Sequence, residues 1–124
     1  MGPNQIAIDE THNLIAAEKV EGTAVYNRDA QNVGAIKTLM LNKFNGRVAY
    51  AVMASGGFLG IGEDYFPIPW EALRYDTGLG GYRVDQSDFD NAPRYPSDAE
   101  PKWMDHLFDA DLRRFYGLPD AAAA

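Results

Sequence analysis

Residues 33–55 read Val-Gly-Ala-Ile-Lys-Thr-Leu-Met-Leu-Asn-Lys-Phe-Asn-Gly-Arg-Val-Ala-Tyr-Ala-Val-Met-Ala-Ser. Val33 to Asn42 is rich in Val, Ile, Thr and Leu, which suit a pleated, half-buried surface. Arg47 to Ser55 is a second such run, with Val48, Tyr50 and Val52 on one face. Between them lies Asn45-Gly46. That dipeptide predicts a type I′ turn, because both central residues of such a turn need positive φ. The stretch reads as a β-hairpin.

Its side chains do not alternate between apolar and polar. Ile36 and Met40 point one way, and Leu39 and Leu41 the other. Val48, Tyr50 and Val52 oppose Ala49, Ala51 and Met53. A strand with one wet face would alternate cleanly. Both faces are therefore expected to be covered, one by the interior and one by a C-terminal segment, a second subunit or a partner.

Upstream, residues 1–12 are polar and aperiodic and read as a flexible tail. Leu14-Ile15-Ala16-Ala17 is a short apolar run. Thr23-Ala24-Val25-Tyr26 is strand-like, and Asn27-Arg28-Asp29 turns the chain. Downstream, Gly56 to Gly62 is a glycine-rich connection, and Asp64 to Ile68 resumes as a strand. Pro67 and Pro69 mark that strand as an edge or a bulge. Trp70 to Leu73 reads as one helical turn, Arg74 to Asp76 as a short strand and Tyr82 to Asp85 as the last strand, with a turn at Ser87–Asn91. Pro93 to Pro101, with three prolines, is a connector. Lys102 to Tyr116 is helical, stopped by Gly117 and Pro119. Trp103, Met104, Leu107, Phe108, Leu112 and Phe115 fall on one broad face at 100° per residue. Asp111 falls inside that face, so two short helices are expected, the second capped by Asp109 or Asp111. Residues 120–124 read as a disordered tail.

Composition excludes several classes. The chain has 124 residues, enough for one domain with a core. Its net charge of −7 and single adjacent basic pair, Arg113-Arg114, argue against direct nucleic-acid binding. No cysteine is present, so disulfides, thiolate metal sites and a Cys nucleophile are excluded. No signal peptide and no apolar run of membrane-spanning length appears, so no membrane insertion and a cytoplasmic location are expected.

The motifs that tempt a catalytic reading do not hold together. Residues 56–62 lack G-x-G-x-x-G spacing and no long helix follows them, so they read as a hairpin connection. Asp85, Asp88 and Asp90 lack the Gly and the closing Glu of a calcium loop. His12 and His106 are isolated, and Ser55 sits in Ala-Ser-Gly rather than G-x-S-x-G. No catalytic residue, metal site or cofactor is predicted. The apolar tips Phe58, Leu59 and Ile61 either tuck over the sheet or contact a partner. The aromatic helical face has the same two readings, packing or interface.

With these residues in hand, the chain resembles the PRC-barrel domain family. The match runs through Leu14 to Tyr26, Val33-Gly34-Ala35-Ile36, Tyr50-Ala51-Val52, Gly56 to Gly62, Phe66-Pro67-Ile68-Pro69-Trp70, and Leu73 with Tyr75. It covers residues 13–95, and 96–119 resembles the C-terminal extension of stand-alone members. The resemblance implies a mostly β fold, a small six-stranded antiparallel barrel with a short C-terminal helical extension. Relatives in the photosynthetic reaction-centre H subunit and in a ribosome maturation factor use the domain as an interaction module. The expectation is therefore a non-catalytic protein-binding or assembly module, self-associating as a homodimer or higher homo-oligomer. Its expected contact residues are Phe58, Leu59, Ile61, Trp103, Leu107, Phe108, Phe115 and Tyr116. The alternative is an accessory protein of ribosome or RNA processing, or a small-ligand-binding barrel.

Overall fold

The structure, a computed structural model, describes residues 14–58, 61–96, 98–99 and 106–119. A helical turn, α1 (Ala17–Val20), precedes β1 (Ala24–Tyr26), β2 (Asn32–Leu41), β3 (Val48–Phe58) and β4 (Ile61–Pro69). A 3-10 turn over Trp70–Ala72 leads into β5 (Leu73–Asp76). Then come β6 (Gly81–Val84), β7 (Tyr95–Pro96) and α2 (His106–Phe115).

The strands form one sheet in the order β5-β6-β1-β2-β3-β4-β7. Every neighbouring pair is antiparallel except β1 and β6, which run parallel. Instead of six antiparallel strands closed into a barrel, the sheet has seven, and its end strands β5 and β7 share no ladder among the described residues. The extra strand is Tyr95–Pro96, in the stretch read as a connector. It pairs Tyr95 with Tyr65 of β4, and the two rings meet edge to face at 5.5 Å. Two residues are too few to leave a periodic signal.

The hairpin of β2 and β3 is present, but its turn is not type I′. The Asn42 N–H donates to the Arg47 carbonyl at 2.8 Å, and the Gly46 N–H to the Asn42 carbonyl at 2.7 Å. Only Gly46, at φ 78°, is left-handed in this loop. The Asn42 side-chain oxygen accepts the N–H groups of Phe44 and Asn45, and that of Asn45 accepts Arg47 N–H. These side-chain bonds stand in for backbone pairing, so a longer loop wins over the two-residue turn.

Strands β3 and β4 also extend into the glycine-rich stretch, with Phe58 paired to Ile61. Pro67 and Pro69 lie where β4 pairs with β3 but has run past β7, which reaches only Asp64 and Tyr65. A residue without an N–H is tolerated where its donor would point to that open side.

One core gathers Val25 of β1, Ile36 of β2, Met53 of β3, Ile68 of β4, Val84 of β6 and Leu112 of α2, all essentially inaccessible. In β3, Tyr50, Ala51, Val52 and Met53 are all buried, and so are Phe66, Pro67, Ile68 and Pro69 in β4. Consecutive residues of a strand face opposite sides, so both faces of these strands are covered. The covering is intramolecular, since a single copy of the chain achieves it.

The β1–β2 turn is organised by a buried polar residue. Asn27 is 3% exposed. Its Oδ1 accepts the N–H groups of Asp29 and Gln31, each at 2.9 Å. Its Nδ2 donates to the Gln31 side chain at 2.9 Å and to the Ser87 carbonyl at 3.3 Å. Ala30 is held at φ 64°, a conformation costly for a residue with a Cβ. Asn27→Ala leaves several of these groups unpaired and is expected to cost about 2 kcal/mol, read as a lowered urea midpoint at unchanged slope.

Candidate interaction surface

Helix α2 closes over the sheet and packs on β4. Phe108, Leu112, Phe115 and Tyr116 supply the apolar side, and all belong to the core or pack against it. The Tyr50 hydroxyl of β3 donates to the Asp109 carboxylate. Burial, then Asp109, raises the Tyr50 hydroxyl above the usual phenol range, so it stays a donor. Arg113 reaches Glu71 at 3.4 Å, and the Gln86 side chain donates to the Phe115 carbonyl at 2.7 Å. The helix is thus tied to β3, to the 3-10 turn and to the segment after β6.

The two-helix expectation is corrected by this arrangement. Asp109 and Asp111 both lie within the single helix His106–Phe115. Asp111 is exposed and pairs with Arg114 at 2.8 Å, whereas Asp109 turns inward to Tyr50. Neither caps a second helix.

Tyr116 lies at the end of α2, 8% exposed. Its ring meets Phe115 at 4.9 Å and Phe89 at 6.4 Å, and Phe89 in turn meets Phe66 at 6.1 Å. Its buried hydroxyl finds no hydrogen-bond partner among the described residues. Burial raises it above the usual phenol range. A donor left unmade costs free energy that its removal returns. Tyr116→Phe is expected to stabilise the fold by about 1 kcal/mol in urea titration. A loss of stability would show that the hydroxyl is bonded.

The expected contact residues therefore separate. Phe108, Phe115 and Tyr116 pack within the chain. The backbones of Phe58 and Ile61 pair in the β3–β4 ladder, while the side chains of both, and Leu59 as a whole, lie outside the described residues. Trp103 lies outside the described residues, as does the side chain of Leu107.

Phe44 is absent from the contact residues expected from the sequence. It stands at the tip of the β2–β3 hairpin, 89% exposed, with Leu41 of β2 59% exposed nearby in sequence. The Lys43 ammonium sits 5.9 Å from the Phe44 ring centre. An aromatic residue beside the Asn-Gly dipeptide was the available signal. The loop holding it is rigidified by the Asn42 and Asn45 side-chain bonds, so the ring is presented rather than collapsed.

Among the described residues no group of three or more His, Cys, Asp or Glu is arranged to hold a metal ion. Nor is any described helix long and apolar enough to cross a membrane.

The model of the PRC-barrel domain family matches residues 12–90, more than half of the sequence. Among solved structures, a Pseudomonas aeruginosa protein assigned to 16S ribosomal RNA processing, RimM, matches at 23% identity and a TM-score of 0.38. The match covers 64% of this chain and 48% of that one, so the chain spans about half the length of that protein. No curated protein matches the chain.

Proposed function

We propose, on the premise that this chain belongs to the PRC-barrel domain family, that it is a non-catalytic protein-interaction module of the cytoplasm that self-associates as a homodimer. The observation that carries the reading is Phe44. A bulky aromatic ring held out into water on a braced turn loses little conformational freedom on binding, which is how an interface anchor works. Leu41, three residues earlier in the chain, is exposed as well and adds apolar surface at this end of the hairpin. The strand faces no longer require a partner, because α2 and the core already cover β3 and β4.

The interface on this reading includes Phe44 and Leu41 at one end of β3, and Phe58, Leu59 and Ile61 at the other. Trp103 and Leu107 complete the set. Phe108, Phe115 and Tyr116 act indirectly, by seating α2.

Light scattering of the purified chain tests this. A mass of two chains is expected, shifting toward one chain in Phe44→Asp or Phe58→Asp while the thermal midpoint of each variant's fold is retained. A strict monomer at high concentration overturns the self-association. A dimer that ignores both substitutions overturns the choice of surface.

A further inference from the structure

We infer that the cleft between β5, β6 and the β1–β2 turn is a carboxylate-binding site that takes a Glu or Asp side chain from an extended segment of a partner protein. The inference rests on the interaction-module reading and adds the chemistry of one partner.

The cleft encloses about 600 Å³ and is lined by Arg28, Arg74, Tyr75, Asp76, Arg83 and Asp85 among others. Arg74 of β5 and Arg83 of β6 are directly opposite each other on the ladder. Like charges in that position repel. Arg83 reaches Asp76 at 3.5 Å and also donates to the Arg28 carbonyl. Arg28 is engaged by Asp85 at 2.7 Å. Arg74 has no ion pair or hydrogen bond from its side chain among the described residues.

Three guanidinium groups and two carboxylates leave one positive charge unmet in this cleft, in a chain whose net charge is −7. That surplus sits on the exposed Arg74 and matches one carboxylate. A phosphate dianion would overshoot it and meet Asp76 and Asp85 as well. A nucleic-acid strand needs several cations in a row, and the acidic remainder of the chain would repel it.

The surroundings favour an extended peptide as the bearer of that carboxylate. Strand β5 ends the sheet, with no strand on its outer side among the described residues. Tyr75, next to Arg74, is 47% exposed and held edge-on to Tyr82 at 5.3 Å. An extended segment alternates its side chains with period two. It can set an acidic side chain at Arg74 while an apolar one meets the Tyr75 ring.

The test uses a fluorescein-labelled heptapeptide of alternating Val and Glu, its Val and Gln counterpart, and the full chain, read by anisotropy. The Glu peptide is expected to bind about tenfold more tightly than the Gln peptide. Its binding should weaken as salt is raised from about 0.05 to about 0.5 M. Arg74→Glu and the milder Arg74→Gln should each weaken it by about tenfold or more, with the thermal midpoint held or raised, because the repulsion with Arg83 is relieved, and the light-scattering mass of the chain unchanged. Absence of binding by the Glu peptide, equal binding of the Gln peptide, or indifference to both substitutions overturns the inference. So does displacement of the peptide by inorganic phosphate or oligouridine at lower concentration than by an unlabelled Glu peptide. A chain that binds the Glu peptide yet remains monomeric overturns the self-association alone. A dimer without peptide binding overturns only the cleft.

Discussion

Leu112→Ala is expected to destabilise the fold by about 3 kcal/mol. Leu112 is wholly inaccessible and is the residue by which α2 enters the common core. Truncating it removes apolar contacts and leaves a cavity that the sheet beneath cannot collapse to fill. For a chain of this length the thermal midpoint should fall by roughly 12 °C. The loss should also reach Tyr50, whose hydroxyl bond to Asp109 depends on the same seating of the helix. Asp111→Ala, on the exposed side of the same helix, serves as the control and should change stability by less than about 0.5 kcal/mol. Calorimetry of the two variants decides the matter. Equal midpoints would mean that α2 is an appendage and not a part of the core.

Gly34→Ala is the second large effect, and its cause is different. A Cβ at Gly34 would stand 2.5 Å from the Ala54 carbonyl oxygen and 2.8 Å from the Met53 Cγ. The first of these is backbone of β3, held in register with β2 through the pairs Ala35–Ala54 and Ile36–Met53. It cannot step aside without opening the β2–β3 ladder. The expected cost is about 3 kcal/mol, again roughly 12 °C in the midpoint. Gly78→Ala is the contrasting variant. Its nearest neighbour is the Asp76 carboxylate at 3.2 Å, a side-chain end that need give only a few tenths of an ångström, so the midpoint should move far less. If Gly34→Ala melts with the unaltered chain, the strands do not approach as closely as the sheet requires.

How much of this was legible beforehand depends on the range of the interaction. The β2–β3 hairpin, the helical turn after Pro69 and the helix stopped by Gly117 are written in spacing over a few residues. The position of Asp109 is not. Its partner Tyr50 is far away in sequence, and helical periodicity alone ranked Asp111, not Asp109, as the acid inside the apolar face. The type I′ turn failed for a related reason. Propensity marked Asn45-Gly46, but the side chain of Asn42 supplied competing bonds that a dipeptide rule does not weigh.

The arginine cleft was invisible for a topological reason. Arg28, Arg74 and Arg83 are scattered along the chain. The parallel pairing of β1 with β6 and the antiparallel pairing of β5 with β6 bring them together. No basic cluster shows in the sequence, because the three arginines lie far apart in one dimension.

By itself, the sequence determined that this chain builds a β-rich domain whose central strands carry apolar side chains on both sides, because residue type and period two are local properties. It also determined that those strands need a cover. Only the tertiary structure decided that the cover is the chain's own C-terminal helix, seated by Leu112 and the Tyr50–Asp109 bond. On the function proposed above, a partner would then meet the hairpin ends and the cleft beside β5. Which of several apolar surfaces meets which is settled by packing and long-range pairing, and neither is encoded in any short window of residues.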